Sequence, residues 1–211
     1  MDQIRAIVRE LPDQEREEIF KTYLGQRESR RNRSGRALEF GYDLMFDMVV
    51  DYGIFRDLHR QRMVTSERQL LSTRLGFVEL HPMLEDMDAK GEVQECVDIS
   101  SRLYEEIRSD LGREIAQYPV LFGFNIRFAQ GFNDRQAQHY WELRTGKQGH
   151  PSYRKVCQEM HALLAKRDPL RATVMEHVDT NEYFWSREES EARQRQKETQ
   201  LGLRTDSGQE E

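Results

Sequence analysis

Hydrophobic positions change period several times along the chain, and each change predicts an element. Residues 4–11 and 13–24 read as two short helices, with Pro12 ending the first, Asp13 capping the second and Gly25 stopping it. From 26 to 36 the chain is polar and without periodicity, a loop carrying Arg27, Arg30, Arg31, Arg33 and Arg36. The period then becomes two: Phe40, Tyr42, Leu44, Phe46 and Met48 alternate with polar residues, broken only at Met45, which predicts a half-buried strand. Val49, Val50, Ile54 and Leu58 return to helical spacing and predict a helix over 49–62, while 65–78 fits either period. An amphipathic helix is expected over 92–111, with Val93, Val97, Leu103 and Ile107 on one face and Gly112 after it. Val120, Phe122, Phe124, Ile126 and Phe128 predict a second strand over 118–128. Asn133 can cap a helix running to Leu143, a further helix is expected over 151–166, and Pro169 opens another short one. Beyond Ser186 large apolar residues nearly vanish, and a charged tail passing into disorder is expected. The order of elements is that of an α+β (mixed α/β) protein, helix-dominated with a small central sheet.

Composition narrows the picture. The 211 residues, 37% hydrophobic, suit one domain with appendages and a core that needs no disulfide. Cys96 and Cys157 stand far apart, outside any Cys-x-x-Cys pattern, and the histidines lie singly, so neither a disulfide scaffold nor a metal site is expected. No window approaches the ~20 consecutive apolar residues of a membrane span, and the first residues lack the pattern of a signal peptide; the expected location is the cytoplasm. The net charge of −6 argues against nonspecific nucleic-acid binding, as does the lack of aromatic residues beside the basic run at 27–36. Lysine is confined to Lys21, Lys90, Lys147, Lys155, Lys166 and Lys197, so most cations are arginines, which grip phosphates and carboxylates bidentately.

Glycine loops of the Walker or Rossmann type and nucleophile motifs are absent from the sequence, which leaves arginine constellations as the candidate chemistry. Arg56 and Arg60 would share a helical face, Arg60 and Arg62 flank Gln61 where that helix ought to end, and hydroxyls follow at Thr65, Ser66, Ser72 and Thr73 before Arg74. Guanidinium groups and hydroxyls at an element boundary suit a nucleotide phosphate; a solvated helix face with a polar turn has the same spacing. A second cluster, Asn133, Asp134, Arg135, His139 and Arg144, lies along one predicted helix. Arg144 at its end also suits a simple dipole-complementing cation, and His139 a partly buried core histidine.

At this point the chain resembles the flavin-dependent thymidylate synthases, whose signature is Arg-His-Arg, a Ser three residues later and then Ser-x-Arg. The corresponding run here is Arg60-Gln61-Arg62, Thr65 and Ser72-Thr73-Arg74. Collinear likenesses extend it: 35–39 lies where the family has Thr-Pro-Phe-Glu-His, Trp141-Glu142-Leu143-Arg144 resembles its Leu-x-Leu-Arg, and 151–154 its Ala-Gln-Trp-Glu, so that roughly 34–178 is covered. The resemblance implies a thymidylate synthase-complementing-protein-like fold and reductive methylation of dUMP to dTMP with methylenetetrahydrofolate, FAD and NADPH, in homotetramers with shared active sites. By position it implies FAD contacts from Arg60, Gln61, Arg62, Asn133, Asp134, Arg135 and His139. It implies nucleotide contacts from Asp57, Ser72, Thr73, Arg74 and Gln117, and polarisation of the uracil ring by Arg144.

The departures define an alternative. Gln61 replaces the signature histidine, Thr65 the serine, Asp57 a nucleotide-facing glutamine and Gln117 a dUMP-binding arginine. The interval from Arg62 to Arg74 is longer than the family's by about two residues, and the signature glutamate is displaced to Glu67 or lost. Such a pattern resembles divergent members with two synthase-like domains in one polypeptide, so the alternative is a non-catalytic synthase-like subunit that binds flavin or nucleotide or supports a catalytic partner. The expected division is N-terminal helices and basic loop over 1–33, a synthase-like domain over 34–185 and a charged tail over 186–211.

Overall fold

The computed structural model describes residues 2–41, 43–79, 89–183 and 197; Tyr42 and nearly all of the predicted tail lie outside them. The chain forms two compact units, one of residues 36–136 and the other of 1–35 with 137–211.

The 36–136 unit is built on an antiparallel three-stranded sheet of β1 (Leu44–Asp51), β2 (Thr65–Arg68) and β3 (Asn125–Phe132), with β3 in the centre. The strands are where the two-residue period asserts itself: Leu44, Phe46, Met48 and Val50 pair with Phe132, Gln130, Phe128 and Ile126, and all four of those β3 residues are buried. Met45, Asp47 and Val49 lie on the other face, opposite Gly131, Ala129 and Arg127, where Arg127 Nε donates to both Asp47 oxygens at 3.0 and 3.1 Å.

The first predicted strand is displaced. Phe40 is 84% exposed and precedes it, while Val49 and Val50, expected in a helix, extend β1. Two β-branched residues in succession suit a pleat better than a helix. Helix α3 (Tyr52–Leu58) starts only where Asp51 caps it, its carboxylate accepting from Ile54 N at 2.9 Å. It stops at Leu58, so Arg60 lies beyond the helix and does not share a face with Arg56 as expected. α3 buries Phe55 and Leu58, with Phe55 edge-on to Phe128 at 4.8 Å between centroids.

The second predicted strand also shifts. Residues 118–124 form turns, with Val120 N donating to Gln117 O and Phe124 N to Leu121 O, and Tyr118 and Phe122 are exposed. The proline at 119 has no N–H for a ladder, and β3 begins at Asn125 after a single bridge between Phe124 and Phe77. Helix α4 (Lys90–Leu111) packs through Tyr104 against Ala116, Val120 and Phe124, with Val97 and Ile107 at the edge of that cluster. Its inner face runs through Ser100 and Tyr104, and Leu103, expected inside, is exposed.

The other unit contains α1 (Asp2–Glu10), α2 (Asp13–Leu24), α6 (Pro151–Arg167) and α7 (Pro169–Ala172), together with most of α5 (Asp134–Arg144). The N-cap of α2 is Pro12, with Asp13 already inside the helix. The core holds Ala137, Tyr140 and Trp141 of α5, Cys157, Met160 and Leu164 of α6, and Ala172, Val174 and Met175. The basic loop is fastened into it: Arg27 donates from Nη1 and Nη2 to the two Glu142 oxygens, 2.6 Å each, from Nη1 to Val174 O and from Nε to Asn32 O. Arg27 and Glu142 side chains are 3% and 1% exposed, so this arginine is unavailable to a nucleic acid. Gln138 Nε2 fastens the far end of the loop, donating to Ser34 Oγ and Val174 O, both at 2.7 Å. Among the described residues no helix is long and apolar enough to cross a membrane.

Candidate functional site

The predicted phosphate-binding residues sit on a segment fixed at both ends within the 36–136 unit. After β2, Gln69 N donates to Arg127 O and Leu71 N to Gln117 Oε1 at 3.0 Å. At the far end Asn125 Nδ2 donates to Leu75 O and Asn125 N to Gly76 O, each at 2.9 Å. Gly76 has φ +86°, a conformation that glycine takes without strain. Between these ties stand Ser72, Thr73 and Arg74. The Arg74 guanidinium is held in plane by Glu105 of α4, Nε to Oε1 and Nη2 to Oε2, both 2.9 Å, and Arg108 donates to the same carboxylate at 3.2 Å. These arginines hold the Glu105 carboxyl below its ordinary range. Gln117 lies beside the segment and positions backbone: its Oε1 accepts from Leu71 N and its Nε2 donates to Glu114 O.

The predicted cofactor residues of this unit also converge. Asn133 and Gln136 form a capping box at the start of α5. Asn133 Oδ1 accepts from Gln136 N at 2.8 Å and Gln136 Oε1 from Asn133 N at 3.2 Å. Asn133 Nδ2 donates to Glu39 O, so that buried amide is employed internally. Gln136 Nε2 reaches further and donates to Met63 O, which ties the turn carrying Arg60, Gln61 and Arg62 to the helix start carrying Asp134 and Arg135. Sequence reasoning passed over Gln136; the signal for it was the Asn-x-x-Gln spacing of a capping box. Arg60 and Arg62 are exposed, and Arg60 Nε lies 3.5 Å from Asp57, an ion pair at the end of α3. The arginines of this turn stand beside the positive dipole end of α5, to which Gln136 ties them, and guanidinium groups there suit a pyrophosphate, so the residues present fit the phosphate portion of a flavin dinucleotide.

Two predicted residues belong to the other unit. His139 is exposed on α5 and not in the core. Arg144 ends α5 with its guanidinium carbon 5.4 Å from the centroid of the Tyr153 ring. Its Nε is buried and has no hydrogen-bond partner among the described residues. The helix-end carbonyls are served by others: Thr145 Oγ1 donates to Trp141 O at 2.7 Å and Arg154 Nε to Thr145 O at 2.7 Å. A Cβ at Gly149 would lie 2.9 Å from Arg144 O, Arg154 Cγ and Tyr153 Cε2, so glycine lets the loop after α5 close against α6. Burial pushes the Cys157 thiol up to about 12, against the opposing pull of the Arg144 charge.

The chain is 34% identical over 189 residues to a UPF0159 protein of Chlamydia muridarum, covering 90% of this chain and 35% of that protein. A UPF0159 protein of Chlamydia pneumoniae is 32% identical over 88% of this chain and 34% of its own length. The Thermoplasma acidophilum protein is 31% identical over 79% of this chain and 33% of its own length. The chain thus spans about a third of the length of these relatives. Among solved structures, the UMP/dUMP methylase PolB from Streptomyces cacaoi, bound with 5-Br UMP, superposes with a TM-score of 0.51 at 17% identity, over 64% of this chain and 72% of that one. That likeness is one of fold. A family model described as thymidylate synthase complementing protein matches residues 9–170, and the chain belongs to that family.

Proposed function

We propose that this chain binds a uridine monophosphate and a flavin, and takes part in reductive methylation of dUMP to dTMP with methylenetetrahydrofolate as one-carbon donor. The observation that carries the reading is the tethered Ser72–Thr73–Arg74 segment, where a guanidinium is already held in plane by a carboxylate, the arrangement in which arginine also receives a phosphate. Ser72, Thr73 and Arg74 would bind the nucleotide phosphate, with Gln117 holding their backbone in place and Asp57 facing the nucleotide. Arg60, Gln61, Arg62, Asn133, Asp134 and Arg135 would hold the flavin dinucleotide, the arginines on its pyrophosphate and Asn133 through the capping box. His139 is assigned to flavin contact as well. FAD, when bound, supplies the hydride it has received from NADPH. Arg144, braced on Tyr153, would stabilise negative charge on the uracil ring. The assembly is proposed to be a homotetramer or a pairing with a second synthase-like domain, and the location the cytoplasm.

The test is the visible absorption spectrum of the purified chain titrated with FAD and then dUMP. A flavin band that shifts on addition of dUMP is expected; protein that stays colourless with FAD refutes the flavin reading. A second reading is favoured by Gln117, whose carbonyl oxygen is committed to Leu71 N where the resembled family places a dUMP-binding arginine. On that reading the chain is a synthase-like module that binds ligands for a catalytic partner. It fails if the isolated chain converts dUMP to dTMP in the presence of methylenetetrahydrofolate and NADPH.

A further inference from the structure

The Arg74 guanidinium, assigned above to phosphate, is engaged by Glu105, and Glu105 is not among the residues that any likeness assigned to the site. The pair is two-pronged, each contact 2.9 Å, and half exposed on both sides. A second cation, Arg108, touches the same carboxylate from one turn further along α4. Two guanidinium groups share one carboxylate, which leaves the cluster with net positive charge beside the Ser72 and Thr73 hydroxyls. Ser72 Oγ accepts from Arg74 N at 3.4 Å, which places that hydroxyl next to the Arg74 backbone.

From this arrangement we propose that Glu105 is an affinity-setting counter-anion of the phosphate subsite, which occupies Arg74 when no ligand is present and competes with the incoming phosphate for it. A carboxylate and a phosphate present the same pair of oxygens to an arginine fork, so exchanging one for the other needs little movement of Arg74. A monoester phosphate carries about −1.5 to −2 charges at pH 7 and outcompetes the single charge of Glu105. An unphosphorylated nucleoside has nothing with which to compete. The inference rests on the reading of Ser72–Arg74 as the phosphate subsite.

The experiment is calorimetric titration of the whole chain with dUMP and, separately, with deoxyuridine, for the wild type, Glu105→Gln, Glu105→Asp, Arg74→Gln and the double variant Arg74→Gln/Glu105→Gln. Thermal unfolding verifies that each variant is folded. Removing a competitor whose pairing is of the half-exposed kind is expected to tighten dUMP binding by roughly threefold to fivefold in Glu105→Gln. The gain should be smaller in Glu105→Asp, absent for deoxyuridine, and absent when Arg74 is already replaced. Unchanged or weaker dUMP binding in Glu105→Gln, with Arg74→Gln still impairing it, overturns the counter-anion role and leaves the phosphate subsite standing. An equal gain in the Arg74→Gln background also overturns it, because a general change of charge would then account for the effect. Binding of dUMP that is indifferent to Arg74→Gln, or absent from every variant, overturns the subsite and the inference together.

Discussion

Replacement of Arg27 by alanine tests how the basic loop is held. The Arg27 guanidinium makes two 2.6 Å bonds to Glu142 and further bonds to Val174 O and Asn32 O, and both charged side chains are almost wholly out of water. In Arg27→Ala, Glu142 keeps one contact, from His177 N at 3.2 Å, and becomes a buried carboxylate without a counter-charge. Val174 O still has Gln138 as a donor, so the loss falls mainly on Glu142. Breaking one side of a buried pair costs about 3–5 kcal/mol, and for a chain of this size each kcal/mol lowers Tm by roughly 2–4 °C, so a fall of about 10 °C is expected. Arg27→Met/Glu142→Leu, which removes both charges, should recover most of it, because a buried ion pair contributes little net stability against apolar residues that fill the same space. The assay is urea unfolding followed by far-ultraviolet circular dichroism, with limited proteolysis of the 26–35 loop in parallel. A loss below about 1 kcal/mol in the single variant, the value of an exposed pair, refutes the burial argument, and so does a double variant as unstable as the single one.

Other outcomes follow from named contacts. Cys157 is buried with its thiol pushed up to about 12 whereas Cys96 is exposed, so iodoacetamide at pH 8 should modify Cys96 and leave Cys157 intact in the folded chain, as peptide mass analysis would show. The Cys157 contribution to stability is full below the unfolded thiol value of about 8.5 and is lost as pH rises through its folded value, so Cys157→Ala should flatten the alkaline limb of a stability profile. Arg127 holds the Asp47 carboxyl below the usual range; this contribution is present above the unfolded value near ~4 and disappears as pH falls through the lower folded one. Asp47→Asn is accordingly less stable than wild type at pH 6, a difference that closes as the pH falls through that lowered folded value, measured by acid titration of the folded fraction. Gly123→Ala places a methyl inside the Phe77 ring volume and should cost about 1–3 kcal/mol in urea unfolding.

The helices were legible because their ends carry chemistry that can be read locally. Asn133 before α5, Pro151 opening α6 and Pro169 opening α7 each stand where the pattern placed them. The strands were not, because a run of alternating residues does not say where its partner begins. Phe40 and Phe122 fit the two-residue period yet lie outside the sheet, while Val49 and Val50 look helical by spacing and pair with Arg127 and Ile126. Of the site, Arg60–Arg62 and the start of α5 were recognisable as arginine clusters, but the amide that joins them, Gln136, is a long-range contact with Met63. Arg27 read as one cation among the several of a polar loop because its partner Glu142 is 115 residues away, a distance at which sequence pattern carries no pairing information.

The strand order has a consequence for how this chain comes to be folded. Among the described residues, β1 and β2 are neighbours in sequence but both pair with β3, so no hairpin there lets either strand find its partner locally. Leu44 must wait for Phe132 and Thr65 for Gly131, and loops of that length close at an entropic cost before any ladder hydrogen bond repays it. During synthesis, therefore, the first two strands leave the ribosome with no sheet to join, and the last strand made completes both pairings at once. A chain halted before residue 125 would lack the strand with which both β1 and β2 pair, and one halted before residue 117 would lack Gln117 as well as Asn125 to hold the segment after β2.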